Sequence, residues 1–306
     1  MGQATGMGGM MPFAMASMVI VLLALLLGAV FLVLYLRRPV TTDDASIRGA
    51  AVKRLPMPTS GPAEGEREAF LVIPDISGYT RFLSLNRFAL AHAQYAISEL
   101  LKSMIAAGGD ELWAAKVEGD AILLCAWRNE PGIRNGLNGD QVARRIAAIL
   151  AAFYRRRDEL RHANLCTCSA CSHIDQLDLK VIVHSGTVLS YDLGGRGELS
   201  GVPVIVAHRL LKNTLGLTRY VLVTDAAHQE VKPALQCEPS RHPQLCEDIG
   251  EVTVYVYAFE PGGLLLGGAA AADLGARADD TLRKLRSNLQ ALGPAERRQI
   301  ERSPDH

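Results

Sequence analysis

The sequence predicts an α+β sandwich, helices laid on a mainly antiparallel sheet, preceded by one transmembrane helix. Three observations predict it. An uninterrupted apolar run, VIVLLALLLGAVFLVLYL, ends just before Arg37. Beyond it, strand-like and helical stretches follow one another in the order β-α-β-β-α-β-α-β, the signature of segregated helix and sheet layers. Two of the strand-like runs, at 112–117 and 121–127, are joined through a tight Gly-Asp turn and read as a hairpin.

The apolar run sets the expected domain order. No charged side chain precedes Arg37, and residues 15–36 are almost wholly apolar. About 20 such residues in a helix match a hydrocarbon layer of about 30 Å. No basic segment precedes the run and no small-residue cleavage site follows it, which argues against a cleaved signal peptide. Arg37 and Arg38 follow the span, whereas the flank 1–14 carries no charged side chain. The positive-inside bias then puts the C-terminal side in the cytoplasm. The expectation is a single-pass protein of the inner (cytoplasmic) membrane, held through residues 15–36. Residues 37–68 mix charge, Pro and Gly without periodicity and read as a flexible linker. A folded domain is expected over 69–260. Residues 261–306 form a Gly/Ala-rich linker and a charged tail with leucines at 282, 285, 289 and 292, a helix that reads as solvated or self-associating.

Within the domain, Phe70–Ser77 (FLVIPDIS) is the first strand. A helical stretch follows over 86–107, with apolar positions at Leu90, Ile97, Leu100, Leu101, Met104 and Ile105. The hairpin of 112–127 turns at Glu118-Gly119-Asp120. Residues 140–157 are helical, 179–189 a strand, 204–213 a short helix, and 220–224 and 252–259 the closing strands.

Lys+Arg and Asp+Glu are equal at 32 each, which leaves no electrostatic footprint for nucleic acid. Asp75 ends the first strand and Asp120 sits at the hairpin tip. If those strands are neighbours, two hard oxygen ligands meet at one end of the sheet and suit Mg²⁺ or Mn²⁺. The turn at 76–80, with Gly78 and Tyr79, could offer backbone N–H groups to a phosphate. The bland alternative is that Asp75 caps a turn and Asp120 completes a bend. Cys166, Cys168 and Cys171 lie too close together for an ordinary disulfide framework. With His173 they make a possible Zn²⁺ set, although C-x-C-x₂-C-x-H is no standard finger spacing. Reduced loop thiols and redox chemistry remain the alternatives. His92, His184 and His208 read as packing or hydrogen-bonding residues.

PDISGYTRFL (74–83) with KVEGDAILL (116–124), followed by HSGTVL (184–189) and GVPVIVAHRL (201–210), resembles the class III nucleotide cyclases. The likeness is closest to an uncharacterised bacterial branch that carries HRLLKN (208–213) and a cysteine cluster. The resemblance covers 69–260 and implies a ferredoxin-like cyclase-type sandwich. It also implies two-metal conversion of ATP to cyclic AMP and pyrophosphate at a homodimer interface. Asp75 and Asp120 then correspond to the metal aspartates, and Arg209 to the arginine that stabilises charge on the α-phosphate. Lys116 and Glu198 correspond to the base-reading pair and favour ATP over GTP.

Two departures bear on turnover. The family has an Asn four residues before the arginine, where this chain has Ile205, and a phosphate-binding Lys for which 248–257 offers no match. Lys212 and Asn213 could compensate only if the helix is rotated or shifted. One lost donor in such a site costs about 10²–10³ in rate. Three readings therefore stand: a membrane-anchored cyclase, a degenerate cyclase-fold module that binds nucleotide or a protein partner, and a scaffold with no ligand.

Overall fold

The computed structural model describes residues 65–260, apart from 87–88, 132–134, 195–196, 234 and 236, together with 274–291. All of these fall in one unit of the chain, Leu55–His306. The elements run β1 (Gly65–Ser77), α1 (Tyr79–Leu85), α2 (Leu90–Gly108), β2 (Trp113–Glu118), β3 (Ala121–Trp127) and α3 (Gly139–Ala163). There follow α4 (Ser169–Ser172), β4 (Asp178–Asp192), β5 (Gly197–Ser200), α5 (Val202–Leu210) and β6 (Tyr220–Thr224). The last are α6 (Asp225–His228), β7 (Ser240–Cys246), β8 (Gly250–Ala258) and α7 (Leu274–Ala291).

The strands form one sheet in the order β2-β3-β1-β4-β6-β8-β7, with β5 paired to the far end of β4. β1 is central and antiparallel to both β3 and β4. Its run Phe70-Leu71-Val72-Ile73 is fully buried because both sheet faces are covered. On one face Phe70, Val72 and Leu124 meet Ile97, Leu100 and Met104 of α2 and Ile146, Ile149 and Phe153 of α3. On the other, Leu71, Ile73 and Leu123 meet Val206, Ala207 and Leu210 of α5. The expected sandwich is therefore present, with α5 adding a helix on the second face. The β4–β6 pair is parallel, so the sheet is mixed; the β5–α5 segment supplies the crossover that a parallel pair needs.

Local chemistry sets the element ends. Asn86 stops α1: its backbone N–H donates to the Phe82 and Leu83 carbonyls and its amide to Phe82 O at 2.6 Å. The helical stretch expected over 86–107 is α2, and α1, which lies wholly before Asn86, is an additional helix. A capping box opens α3, with Gln141 N–H donating to Asn138 Oδ1 at 2.9 Å and Asn138 N–H to Gln141 Oε1 at 2.8 Å. Sequence patterning passes over β5 and β7. β5 has four residues, and β7 is an edge strand containing Pro243, a residue that edges tolerate and strand patterns exclude.

Two expectations change. No helix among the described residues is long and apolar enough to cross a membrane, and residues 15–36 lie outside the described residues, as do 1–14, the linker up to residue 64 and 261–273. Among the described residues nothing carries the single-pass reading, so it, the inner-membrane location and the membrane as a partner are withdrawn. The tail helix is not solitary either. α7 packs on α2 and α3, with Asp280 and Lys284 buried and Ser287 Oγ donating to Ala91 O at 3.0 Å.

Candidate functional site

Two constellations converge in the fold. The first lies where β1 ends and β3 begins. Asp75 faces Ala121 in the β1–β3 register, and Ile76 N–H donates to the Asp120 carbonyl at 3.1 Å. Gly119 and Asp120 form the two-residue turn between β2 and β3; Gly119 takes φ +66°, which favours glycine at that place. The two carboxylates therefore meet, as expected. Burial, and then the neighbouring Asp75 charge, push the Asp120 carboxyl up to about 6. Lys180 of β4 reaches the same place, its Nζ 3.2 Å from Asp75 Oδ2 and donating to Leu211 O at 3.1 Å. Nothing in the local sequence marks Lys180; only strand pairing of Asp75 with Lys180 puts it there.

Gly78 takes φ +88° at the start of α1, and a Cβ there would lie 3.2 Å from the Gln176 carbonyl. Tyr79 packs on the first core cluster. One donor of the expected phosphate turn, Ile76 N–H, is already spent on Asp120. Lys116 Nζ lies 3.2 Å from Glu118, which, with Glu198 further off, raises its pKa. The Glu198 charge thus acts on Lys116 from β5, behind the closer Glu118.

The remaining donors are committed elsewhere. The Arg209 guanidinium bonds Glu247 and Asp248 of the β7–β8 turn, both at 3.2 Å. Asn213 donates its amide to Leu210 O at 2.8 Å and Tyr220 Oη at 2.6 Å, and accepts from Leu215 N–H at 3.1 Å. It shapes the exit from α5 and does not stand in for the missing Asn. Ile205 is an exposed apolar side chain with nothing to donate. His184 is a packing residue as expected: Nδ1 lies 2.8 Å from Thr224 Oγ1, and burial lowers its pKa to about 4.

The second constellation surrounds the cysteines. Cys166, Cys168 and Cys171 bring their sulfurs to 3.6, 3.4 and 3.7 Å from one atom, His92 Nδ1. All four ligand atoms lie within 4.8 Å of one another. A ring nitrogen makes a single hydrogen bond in its plane, so three converging sulfurs exceed what hydrogen bonding explains. The fourth member is His92 of α2, not His173, whose Nδ1 faces Ser169 O at 2.7 Å. The sequence hides His92 because it stands 74 residues before the first cysteine. Asn164 preforms the loop: it donates to Cys166 O at 2.8 Å and accepts from Cys166 N–H at 2.9 Å. Burial opposes the ionised Cys168 thiol, but hydrogen bonds from the Cys171 backbone and the neighbouring thiols outweigh it and lower its pKa.

The group of three or more metal-ligating side chains among the described residues is this His/Cys set and not the aspartates. That replaces the expected two-metal catalytic centre. A cavity of about 220 Å³ lies apart from the carboxylates, between α2, α3 and α7, beside Tyr95, Arg156 and Asp280.

The sheet carries helices over both faces and brings two carboxylates together where β1 ends and β3 begins. Solved structures that overlap the chain include the guanylyl cyclase Cya2, at 12% identity and TM-score 0.49 over 69% of this chain and 100% of that one. The adenylyl cyclase CyaB from P. aeruginosa overlaps at 14% and 0.44 over 65% of this chain and 98% of that one. Residues 97–220 match the family described as "Protein of unknown function (DUF2652)". The "Uncharacterized protein Rv2561/Rv2562" of Mycobacterium tuberculosis (strain ATCC 25618 / H37Rv) is 33% identical over 162 residues, 52% of this chain and 71% of that protein. This chain belongs to the same family as that mycobacterial protein.

Proposed function

We propose that this chain is a catalytically degenerate cyclase-fold module that binds a nucleotide as a signalling element, with a structural zinc ion at the His/Cys set. The observation that carries the first part is the fate of the transition-state donors. Ile205 has none, Asn213 is consumed by the α5 exit, and Arg209 is held by two carboxylates. Each preorganised donor lost from such a site costs about 10²–10³ in rate. Binding groups survive by contrast: Lys116 and Glu198 stand together for a base, and Asp75 and Asp120 remain paired for a divalent cation carried in with the phosphates.

The zinc assignment rests on distance. Sulfur and nitrogen ligands at about 2.3 and 2.05 Å from a tetrahedral ion stand about 3.6 Å apart. The three S···N separations, 3.4 to 3.7 Å, bracket that edge. Thiolates with one imidazole favour Zn²⁺ over the harder Mg²⁺ or Mn²⁺.

Titration calorimetry of the full chain with magnesium and ATP or GTP tests the binding claim. Saturable binding that Asp120→Asn weakens, with no cyclic nucleotide formed on prolonged incubation, is the expected result. Cyclic AMP or cyclic GTP from the wild type, abolished by the same substitution, would overturn the degenerate reading. Absence of binding to either nucleotide would overturn the binding reading.

A further inference from the structure

The His/Cys set does more than tie α2 to the α3–β4 connection, because α7 reaches it as well. Lys284 is buried to 7% exposure, an uncommon state for a lysine. Its Nζ donates to Asn164 Oδ1 at 2.7 Å, the same oxygen that accepts from Cys166 N–H. Its charge also acts on the Cys171 thiol, and it lies 2.6 Å from Asp280 Oδ2. Asp280 and Lys284 are the charged groups that act on the His92 ring. His92 Nε2, facing away from the sulfurs, is buried without a hydrogen-bond partner. Charged groups are this deeply buried only when an opposite charge meets them.

Zinc held by three thiolates and one neutral imidazole carries a net single negative charge, since three thiolates outweigh one divalent cation. Outer partners that donate to metal-bound sulfur, or accept from the free N–H of a ligating His, orient the ligands and stabilise the ion. Lys284 orients the ligands through Asn164 Oδ1, the oxygen that also holds the Cys166 loop, and sets its positive charge near Cys171. Asp280 sits one helical turn earlier on the same face, beside His92.

We infer that the His92/Cys166/Cys168/Cys171 site is a metal-dependent latch for the C-terminal helix. Zinc at the site binds α7 to the domain through Lys284 and Asp280, and docked α7 in turn tightens zinc. The coupling is reciprocal by thermodynamic linkage. It rests on the zinc reading of the same site and adds to it a moving element. Docked α7 also walls the cavity beside Tyr95 and Arg156, with Ala276, Asp279 and Asp280 lining it, so release of the latch opens that cavity.

The test uses the full chain. Zinc content is measured by elemental analysis, and cobalt replacement reports tetrahedral thiolate ligation by its absorption bands. Amide hydrogen exchange over 274–291 is then compared before and after chelation. The expected result is one zinc per chain, with α7 amides that lose protection when zinc is removed while β1 and β4 amides keep theirs. Lys284→Met, of similar length and unable to donate, is expected to retain cobalt-type spectra, weaken zinc by about 10–100-fold and expose α7. Ser287→Ala, which removes the bond of α7 to Ala91, loosens docking and by the same linkage should weaken zinc, though less than Lys284→Met does. Zinc present but α7 protection unchanged by chelation and by Lys284→Met would overturn the latch and leave the metal site standing. A wild-type chain that binds neither zinc nor cobalt would overturn the metal site and the latch together.

Discussion

At the scale of single residues, Asp120 has the clearest consequence. Burial and the adjoining Asp75 charge raise its folded-state pKa to about 6 from the ordinary 3.8. The folded state therefore holds a proton that the unfolded chain gives up at lower pH, and the sign follows from linkage. Asp120 favours the fold below about pH 4 and loses that contribution as pH rises through about 6. Asp120→Asn is accordingly expected to raise the melting temperature relative to wild type at pH 7.5, with the difference vanishing near pH 4. Calorimetric scans of both proteins between those limits check it; an equal difference at both ends would contradict the assignment. Neither motif residue announces this in the sequence: Asp120 is legible as a hairpin tip, but its proton affinity depends on Asp75, 45 positions away, and on the wall of the sheet.

At the scale of elements, α3 shows how local and tertiary terms divide. Its start is written in adjacent residues, the Asn138–Gln141 capping box. Asn138→Ala should cost about 1 kcal/mol in urea unfolding, the usual value of a lost N-cap. Gly139, the next residue, is fixed by something remote: a Cβ there would overlap the Glu230 carbonyl after α6. Glu230 is held in place by its ion pair with Arg128. Gly139→Ala should therefore cost more than its higher helix propensity returns, about 1–3 kcal/mol as an overpacked contact. A variant that gained stability would show that the Glu230 segment yields. The same contrast separates α2 from β7. The apolar periodicity of α2 reports a face that the sheet buries, whereas β7 is polar, contains Pro243 and borrows its strand character from β8.

At the scale of the molecule, α7 stands apart from both hydrophobic clusters, neither of which contains any of its residues. Removing residues 261–306 should leave the domain folded, with sheet amides still protected from exchange. It should also lower the melting temperature and speed reaction of Cys171, now buried beside Lys284, with a thiol reagent. A deletion protein with thiol kinetics like those of the full chain would contradict the docking of α7 on the cysteine loop.

The sequence by itself determined the order of most strands and helices, the hairpin that presents Asp120 and the crowding of three thiols. Each of these follows from residues close in the chain, where periodicity, turn chemistry and spacing act directly. Tertiary structure alone decided which histidine joins the thiols, that Lys180 answers Asp75, that Asn213 and Arg209 are committed elsewhere, and that the tail helix is docked. Those outcomes depend on contacts between segments far apart in sequence. Such contacts are chosen by which buried charges and polar groups find partners once the sheet has closed, and no local pattern carries that choice.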